Sequence, residues 1–552
     1  MQLSHVMARR TLAGVVGVAM FIPGASPVAA GTPGPTNNTS KKLTSAVSAE
    51  GIMEHLRALQ AISDANGGTR VSGTPGYDKS AEYAVGVFTR AGYTVTKQDF
   101  TFQTFIELPG TTLERVSPAP AGPIPTGLTN YSGSGDVTAA VSLTADSGSI
   151  ANQGCQATDF VGFPTGNIAL ISRGGCTFAT KATNASLAGA SGVVLYNNIA
   201  GPLNATLSAD FTLDIPVLAV TQAIGQQLAA LVPGLTLRVK ATTFRGLATT
   251  SNIFAESKTG DPNNVVMAGA HLDSVAAGPG INDNGSGSGT ILEIAEQMAK
   301  VNPYNRVRFA LWGAEESGLI GSNHYINDLK ANNPAALDRI ALYLNFDMVA
   351  SPNYVRFVYD GDNSAFPVGP GAAAGPAGSA QIEDLFHDYF KSVGLASSET
   401  AFSGRSDYGP FIAAGIDIPS GGLFTGAEGL KTVEQEAVYG GVAGAAYDAC
   451  YHQACDSLTQ NFGADAAKAA LYAQLNAKYA MVGNINLKAL EEMSDAVAHA
   501  VITYAYNTTD INGKGQRRPV SPPGQSVDGR PGGGMDDSGG GLHPEHDLEL
   551  AS

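Results

Sequence analysis

From about residue 250 to residue 507 the chain alternates between short apolar runs and longer amphipathic stretches. "NVVMAGAHLD", "RVRFALWGA" and "IALYLNFDM" read as buried strands, and "GTILEIAEQMAK" and "LKALEEMSDAVAHAVITYAY" as helices. No other feature restricts the fold as strongly. Apolar strands need cover on both faces, and intervening helices supply it. The pattern predicts an α/β fold: a mixed, mostly parallel sheet sandwiched by helices.

The strand-like runs end in polar chemistry. The first delivers His271 and Asp273, and a Gly-rich loop with Asp283 follows in "GPGINDNGSGSG". The second, Phe309-Ala310-Leu311-Trp312, leads through Gly313-Ala314 into Glu315 and Glu316. The third ends in Asp347, and "DACYHQACD" delivers Tyr451 and His452 between two cysteines. Singly, each has an ordinary explanation. His271 reads as a structural histidine, Asp283 as a turn residue and His452 as a surface histidine. Glu315-Glu316 reads as a solvated helix start, where carboxylates are favoured. Together they point elsewhere. In an open α/β sheet the carboxyl ends of the strands share one crevice. Acids converging there repel one another unless a cation lies between them. Two histidines and several carboxylates suit Zn²⁺. Five candidate ligands, one able to bridge, suit two ions better than one, and two ions can share and activate a water. Adjacent glutamates on a strand point to opposite faces, so Glu315 and Glu316 can cooperate only where the chain bends.

The remaining features bound the setting. Arg9-Arg10, the short apolar core "TLAGVVGVAMFIPG" and the small residues of "SPVAA" predict a signal peptide over 1–30. Its core is shorter than the ~20 residues a membrane span needs. No later segment is long and apolar enough to cross a membrane, so an exported, soluble protein is expected. Four cysteines fit that compartment. They form two separated pairs, read as Cys155–Cys176 and Cys450–Cys455 disulfides. A net charge of -16 argues against a nucleic-acid or anionic-membrane partner. Residues 31–44 read as a polar linker, and "VSPAPAGPIPTG" marks a composition change. Residues 511–552 are Gly, Pro and charge without apolar periodicity and are expected to be disordered.

The segments "HLDSV…GINDNGSGSG", "LWGAEESGLIGS", "YLNFDMV.SPN", "GRSDYGPF", "GLFTGAEG" and "CYHQACDSL" resemble the secreted di-zinc aminopeptidases typified by Streptomyces griseus aminopeptidase. The likeness covers residues 45–107 and 245–507, expected to form the zinc peptidase domain. The resemblance implies that His271 and Asp347 hold one zinc and Glu316 and His452 the other, with Asp283 bridging. It makes Glu315 the general base, Tyr451 an oxyanion ligand, and Asp273 the partner that orients His271. It places Arg405 at the substrate-amine site. It also implies a calcium site at Glu491 and Asp495, with Glu491 standing where the family has an aspartate. Residues 108–244, through "GNIALISRGGCTFATKATNASLAGASGVVLYNN", resemble a protease-associated domain.

The implied activity is release of a large apolar, leucine-like residue from peptides with a free N-terminus, by a monomer carrying two Zn²⁺. A carboxypeptidase of the same fold would need cationic groups for a substrate α-carboxylate and an extra dimerisation region. A receptor-like ectodomain would not need the intact ligand set and Glu315. A glutaminyl cyclase shares the fold but uses one zinc and lacks the protease-associated insert.

Overall fold

The computed structural model describes residues 36–513, apart from 109, 145–153, 200, 202, 204, 209–210 and 370. The signal peptide read over 1–30 and residues 514–552 of the expected disordered tail lie outside the described residues, whereas residues 511–513 of that tail form the end of the short helix Thr509–Asn512 and its cap Gly513. The polar stretch 31–44, read as a linker, differs from that expectation at its end. Ser40–Thr44 is a helix, with the Thr39 side chain accepting from Lys42 N. Leu43 is fully buried in the main core. One apolar side chain among polar ones gives no periodicity, so only its tertiary contact reveals the helix.

Among the described residues there are two eight-stranded sheets and one two-stranded sheet. The strands of the first are β1 (Thr94–Glu107), β2 (Thr243–Glu256), β3 (Asp261–His271), β4 (Asn305–Trp312), β5 (Ile340–Phe346), β6 (Phe357–Tyr359), β7 (Ser398–Thr400) and β8 (Ser420–Phe424). Their order is β1-β2-β4-β3-β5-β8-β6-β7. The central β4, β3, β5 and β8 run parallel; β2 joins β4 and β6 joins β8 antiparallel, and the outer pairs are β1–β2, antiparallel, and β6–β7, parallel. The sheet is therefore mixed. Every residue of β5 is buried, as a central strand covered on both faces requires.

Helices supply that cover. In Ala49–Ala65 the apolar Ile52, Met53, Leu56 and Leu59 recur at helical spacing and form the buried stripe. The Ser48 side chain caps this helix by accepting from Gly51 N. Helix Pro75–Ala91 stops at Gly92, whose φ of 92° favours glycine. These helices pack with Gly287–Gln297 and Leu487–Tyr506 into one core. The other face buries Trp312, Tyr325, Tyr343 and Phe411.

The second sheet is inserted between β1 and β2. These two strands pair along their full length, from Thr94↔Glu256 to Glu107↔Thr243. The chain thus leaves along one rail of a ladder and returns along the other. Between them lie strands from Thr112–Ser117 to Thr236–Ala241 and helices Phe178–Leu187 and Gln222–Ala229. Both expected disulfides are present, Cys155–Cys176 and Cys450–Cys455.

Candidate metal centre and active site

Parallel pairing brings the ligand-type residues to one edge. His271 ends β3 opposite Trp312, the last residue of β4. Glu315 and Glu316 follow β4, and Asp347 follows β5 directly. The loop after β3 then returns Asp283 to the same edge. Its neighbours explain how. Asn282 Nδ2 donates to Asp448 Oδ2 (2.7 Å), and Asn284 Nδ2 donates to the Phe346 carbonyl (2.9 Å). Asn284 Oδ1 accepts from Met348 N at 3.1 Å. The N–H groups of Asn282 and Asp283 donate to the two oxygens of Asp456, at 2.7 and 2.9 Å. In "NDN" the flanking asparagines anchor the loop and leave the aspartate free to face inward.

Asp283 offers one oxygen to each imidazole. Oδ1 lies 3.2 Å from His271 Nε2, and Oδ2 lies 3.2 Å from His452 Nε2. Asp347 Oδ1 joins His271 at 3.3 Å, and Glu316 Oε2 joins His452 at 3.1 Å. Two donors about 2.1 Å from one tetrahedral zinc stand about 3.4 Å apart, so these spacings suit shared ions. Asp347 Oδ1 and Glu316 Oε1 are buried without hydrogen-bond partners. An orphaned buried acceptor costs about 1–3 kcal/mol, which coordination would relieve. The donor set therefore fits zinc.

The electrostatics agree. Burial opposes charge on His271, yet the facing carboxylates of Asp347 and Glu315 hold it well above the usual imidazole range. Against the same burial, Glu316 and Asp283 push His452 up to about 11. Burial raises Glu315 well above the usual carboxylate range, and Asp347 and Glu316 add to it. Burial would raise Asp283 too, but the two imidazoles hold it below its ordinary value. The field at both histidines demands positive charge.

The adjacent glutamates diverge. Glu316 reaches His452, whereas Glu315 Oε2 stands 3.9 Å from His271 Nε2. Asp273 holds their backbone: its oxygens accept from Glu315 N (3.2 Å) and Glu316 N (3.4 Å). Its carboxylate also faces His271 Nδ1 at 3.6 Å, and its carbonyl oxygen lies 3.3 Å from that nitrogen. The Tyr451 ring stacks on His452 with centroids 3.9 Å apart. Arg405 donates to Tyr451 Oη (3.0 Å) and to Glu428 (2.8 Å), so its guanidinium is engaged with side chains. A cavity of about 370 Å³ opens over these groups, with Met348, Phe357, Phe366 and Phe424 in its wall.

Residues 252–477 match peptidase family M28, and residues 136–228 match the PA domain. An aminopeptidase of Pseudomonas aeruginosa is 41% identical over 486 residues, covering 86% of this chain and 84% of that protein. The chain belongs to peptidase family M28. By that kinship it is a metallo-aminopeptidase with an inserted PA domain. Leucine aminopeptidase 2 of Arthroderma otae is 41% identical to this M28 chain over 396 residues, covering 71% of it and 72% of the relative. Among solved structures, the aminopeptidase from Aneurinibacillus sp. strain AM-1 superposes with a TM-score of 0.61 at 25% identity, covering 84% of this chain and 95% of that one. A zinc aminopeptidase from Bacillus subtilis gives 0.56 at 25% identity, covering 82% and 94%.

Some residues of this M28 site were not legible in the sequence. Arg70 is fully buried and donates to the carbonyls of Pro279 (2.8 Å), Gly280 (2.7 Å) and Leu272, pinning the loop between Asp273 and Asp283. A lone arginine in a loop gives no signal. Ser406 Oγ donates to Asp347 Oδ2 at 2.6 Å. Asp456 lies inside the quoted "CYHQACDSL", and its position directly after Cys455 was the available hint. Glu491 and Asp495 lie on the last helix. Glu491 accepts from Ala49 N at 2.6 Å, and Asp495 Oδ1 is buried without a partner. Among the described residues, they do not belong to a converging group of three ligand-type side chains.

Proposed function

We propose that this M28 enzyme is an exported di-zinc aminopeptidase that removes a large apolar, leucine-like residue from the free N-terminus of peptides. One observation carries the reading: Asp283 presents an oxygen to each of two His–carboxylate pairs at equal distance. His271 and Asp347 would hold one ion, His452 and Glu316 the other, and Asp283 both. Zinc held there supplies a Lewis acid and lowers the pKa of a water.

The chain's own residues do the rest. Glu315, buried beside the first pair, takes the proton of the attacking water and returns it to the leaving amine. Arg405 occupies a lone pair of the Tyr451 hydroxyl, which orients its proton toward the developing oxyanion. The apolar wall accepts the side chain of the N-terminal residue, while Glu315, Asp347 and Glu428 in the same cavity offer negative charge to the substrate ammonium. A calcium ion at Glu491 and Asp495 rests on the family resemblance alone, because Glu491 is already engaged by Ala49 N and two carboxyl groups fall short of a calcium shell. The signal-like N-terminus and two disulfides support export.

The test compares leucyl and N-acetyl-leucyl peptides with and without a chelator. The free peptide should be cleaved orders of magnitude faster, and the chelated enzyme should regain activity with Zn²⁺. Equal cleavage of the two peptides, or full activity with fewer than two zinc ions per chain, would refute the reading.

A further inference from the structure

A second group of ligand-type side chains lies outside the active cavity. His55 sits on helix Ala49–Ala65, and Glu293 and Glu296 sit three residues apart on helix Gly287–Gln297. Residues at that spacing share a helix face. None of the three lines the active cavity. His55 and Glu293 are both 4% exposed. The Glu296 side chain is 38% exposed and opens the group to solvent.

His55 Nε2 is 3.9 Å from Glu293 Oε2 and 3.8 Å from Glu296 Oε2. Neither spacing is a hydrogen bond, and Nε2 is a buried atom without a partner. The other ring nitrogen, Nδ1, lies 2.8 Å from Tyr83 Oη. In the tautomer that donates Nδ1–H to that hydroxyl, the Nε2 lone pair faces the two carboxyl groups. Burial raises Glu293 to about 7, so above neutral pH the lone pair faces two anions; these repel one another, and a cation among them reverses the sign. The three donor atoms lie within 4.8 Å of one another. Donors on a tetrahedral ion stand about 3.4 Å apart, and slightly more where the angle opens. A hydrogen-bonding partner on the second imidazole nitrogen is also how metal-bound histidines are held. Burial favours the neutral imidazole and pushes His55 down to about 4, so an imidazolium does not fill the gap near neutral pH. Glu54 adds negative charge nearby, and Arg90 is the competing cation, acting on both His55 and Glu296.

We propose that His55, Glu293 and Glu296 hold a divalent transition cation, with zinc the best match to one imidazole and two carboxylates, and water completing the shell. The ion would clamp the first long helix to the helix that begins four residues after Asp283, and so steady the loop that carries the bridging carboxylate.

The test counts ions. Chelator-stripped wild type, Glu296→Gln and His55→Gln are dialysed to equilibrium against Zn²⁺, and bound zinc is measured by mass spectrometry. Wild type should hold one more zinc per chain than either variant, and zinc should raise its melting temperature further. Both variants should keep leucyl-peptide hydrolysis at saturating zinc. Should His55→Gln fail to fold, the part-exposed Glu296→Gln decides alone. Equal zinc counts in wild type and Glu296→Gln overturn the proposal and leave Arg90 as the counter-charge.

Discussion

Glu315 and Glu316 are chemically identical neighbours with different partners, and their substitutions should fail differently. Glu315→Gln keeps size and hydrogen bonding but removes the base. It should lower turnover by roughly 10²–10⁴ while both zinc ions stay bound. Glu316→Gln weakens the His452 half, so activity should depend on added zinc and recover partly at high zinc. Zinc content and turnover of both variants across a zinc titration check this. Zinc loss in Glu315→Gln alone would reverse the roles, a live distinction because Glu315 also lies within 3.9 Å of His271 Nε2. The same neighbourhood carries left-handed backbone at non-glycine residues: Ala314 (φ 55°), Met348 (φ 57°) and His452 (φ 55°). Each is a proposed ligand or adjoins one or the proposed base. Such backbone costs about 1–2 kcal/mol per residue and persists where the surroundings enforce it. Ser72 contributes at Ala314, whose N–H donates to its Oγ at 2.7 Å.

At the scale of elements, the inserted domain touches the catalytic loop directly. Tyr131, in the segment before the strand Gly135–Leu143, donates through its hydroxyl to the carbonyl of Ser317 at 3.1 Å. Ser317 follows Glu316 in the chain, so the insert helps to set the bend that separates the two glutamates. Tyr131→Phe should cost about 0.5–1.5 kcal/mol of stability, the net worth of one hydrogen bond. It should lower kcat more than it raises KM, with zinc content unchanged. Steady-state kinetics with metal analysis check this, and wild-type kcat in Tyr131→Phe would show that the contact does not reach the chemistry.

Over the whole molecule, stability should depend on pH through Lys431. It is 1% exposed, and its Nζ donates to the carbonyls of Tyr354 (2.7 Å) and Gly440 (2.8 Å). Burial pushes its ammonium down to about 7, against about 10.4 in an unfolded chain. Between those values the unfolded state binds more protons, so stability rises with pH over that window and is lost as pH falls through 7. Thermal melts from neutral to mildly alkaline pH should show this rise in wild type and a smaller one in Lys431→Met. Parallel curves for the two proteins would remove Lys431 as the cause.

Much of this protein is determined locally. Continuous apolar runs and helical patterning mark the strands and helices, because burial of both faces or of one is written into residue order. The pairing of Cys450 with Cys455 and the helix Leu487–Tyr506 needed no distant partner to be legible. The ligand types at strand ends were legible too, since a parallel sheet brings those ends to one edge. What only the tertiary structure decided depends on partners far apart in sequence. Arg70 reaches carbonyls about two hundred residues away, and Tyr131 reaches Ser317 across the insert. Leu43 turns a polar stretch into a helix, and His55 meets Glu293 and Glu296 between two packed helices. These contacts are set by packing and by satisfaction of buried polar groups, which depend on which surfaces meet and leave no periodic trace in the chain.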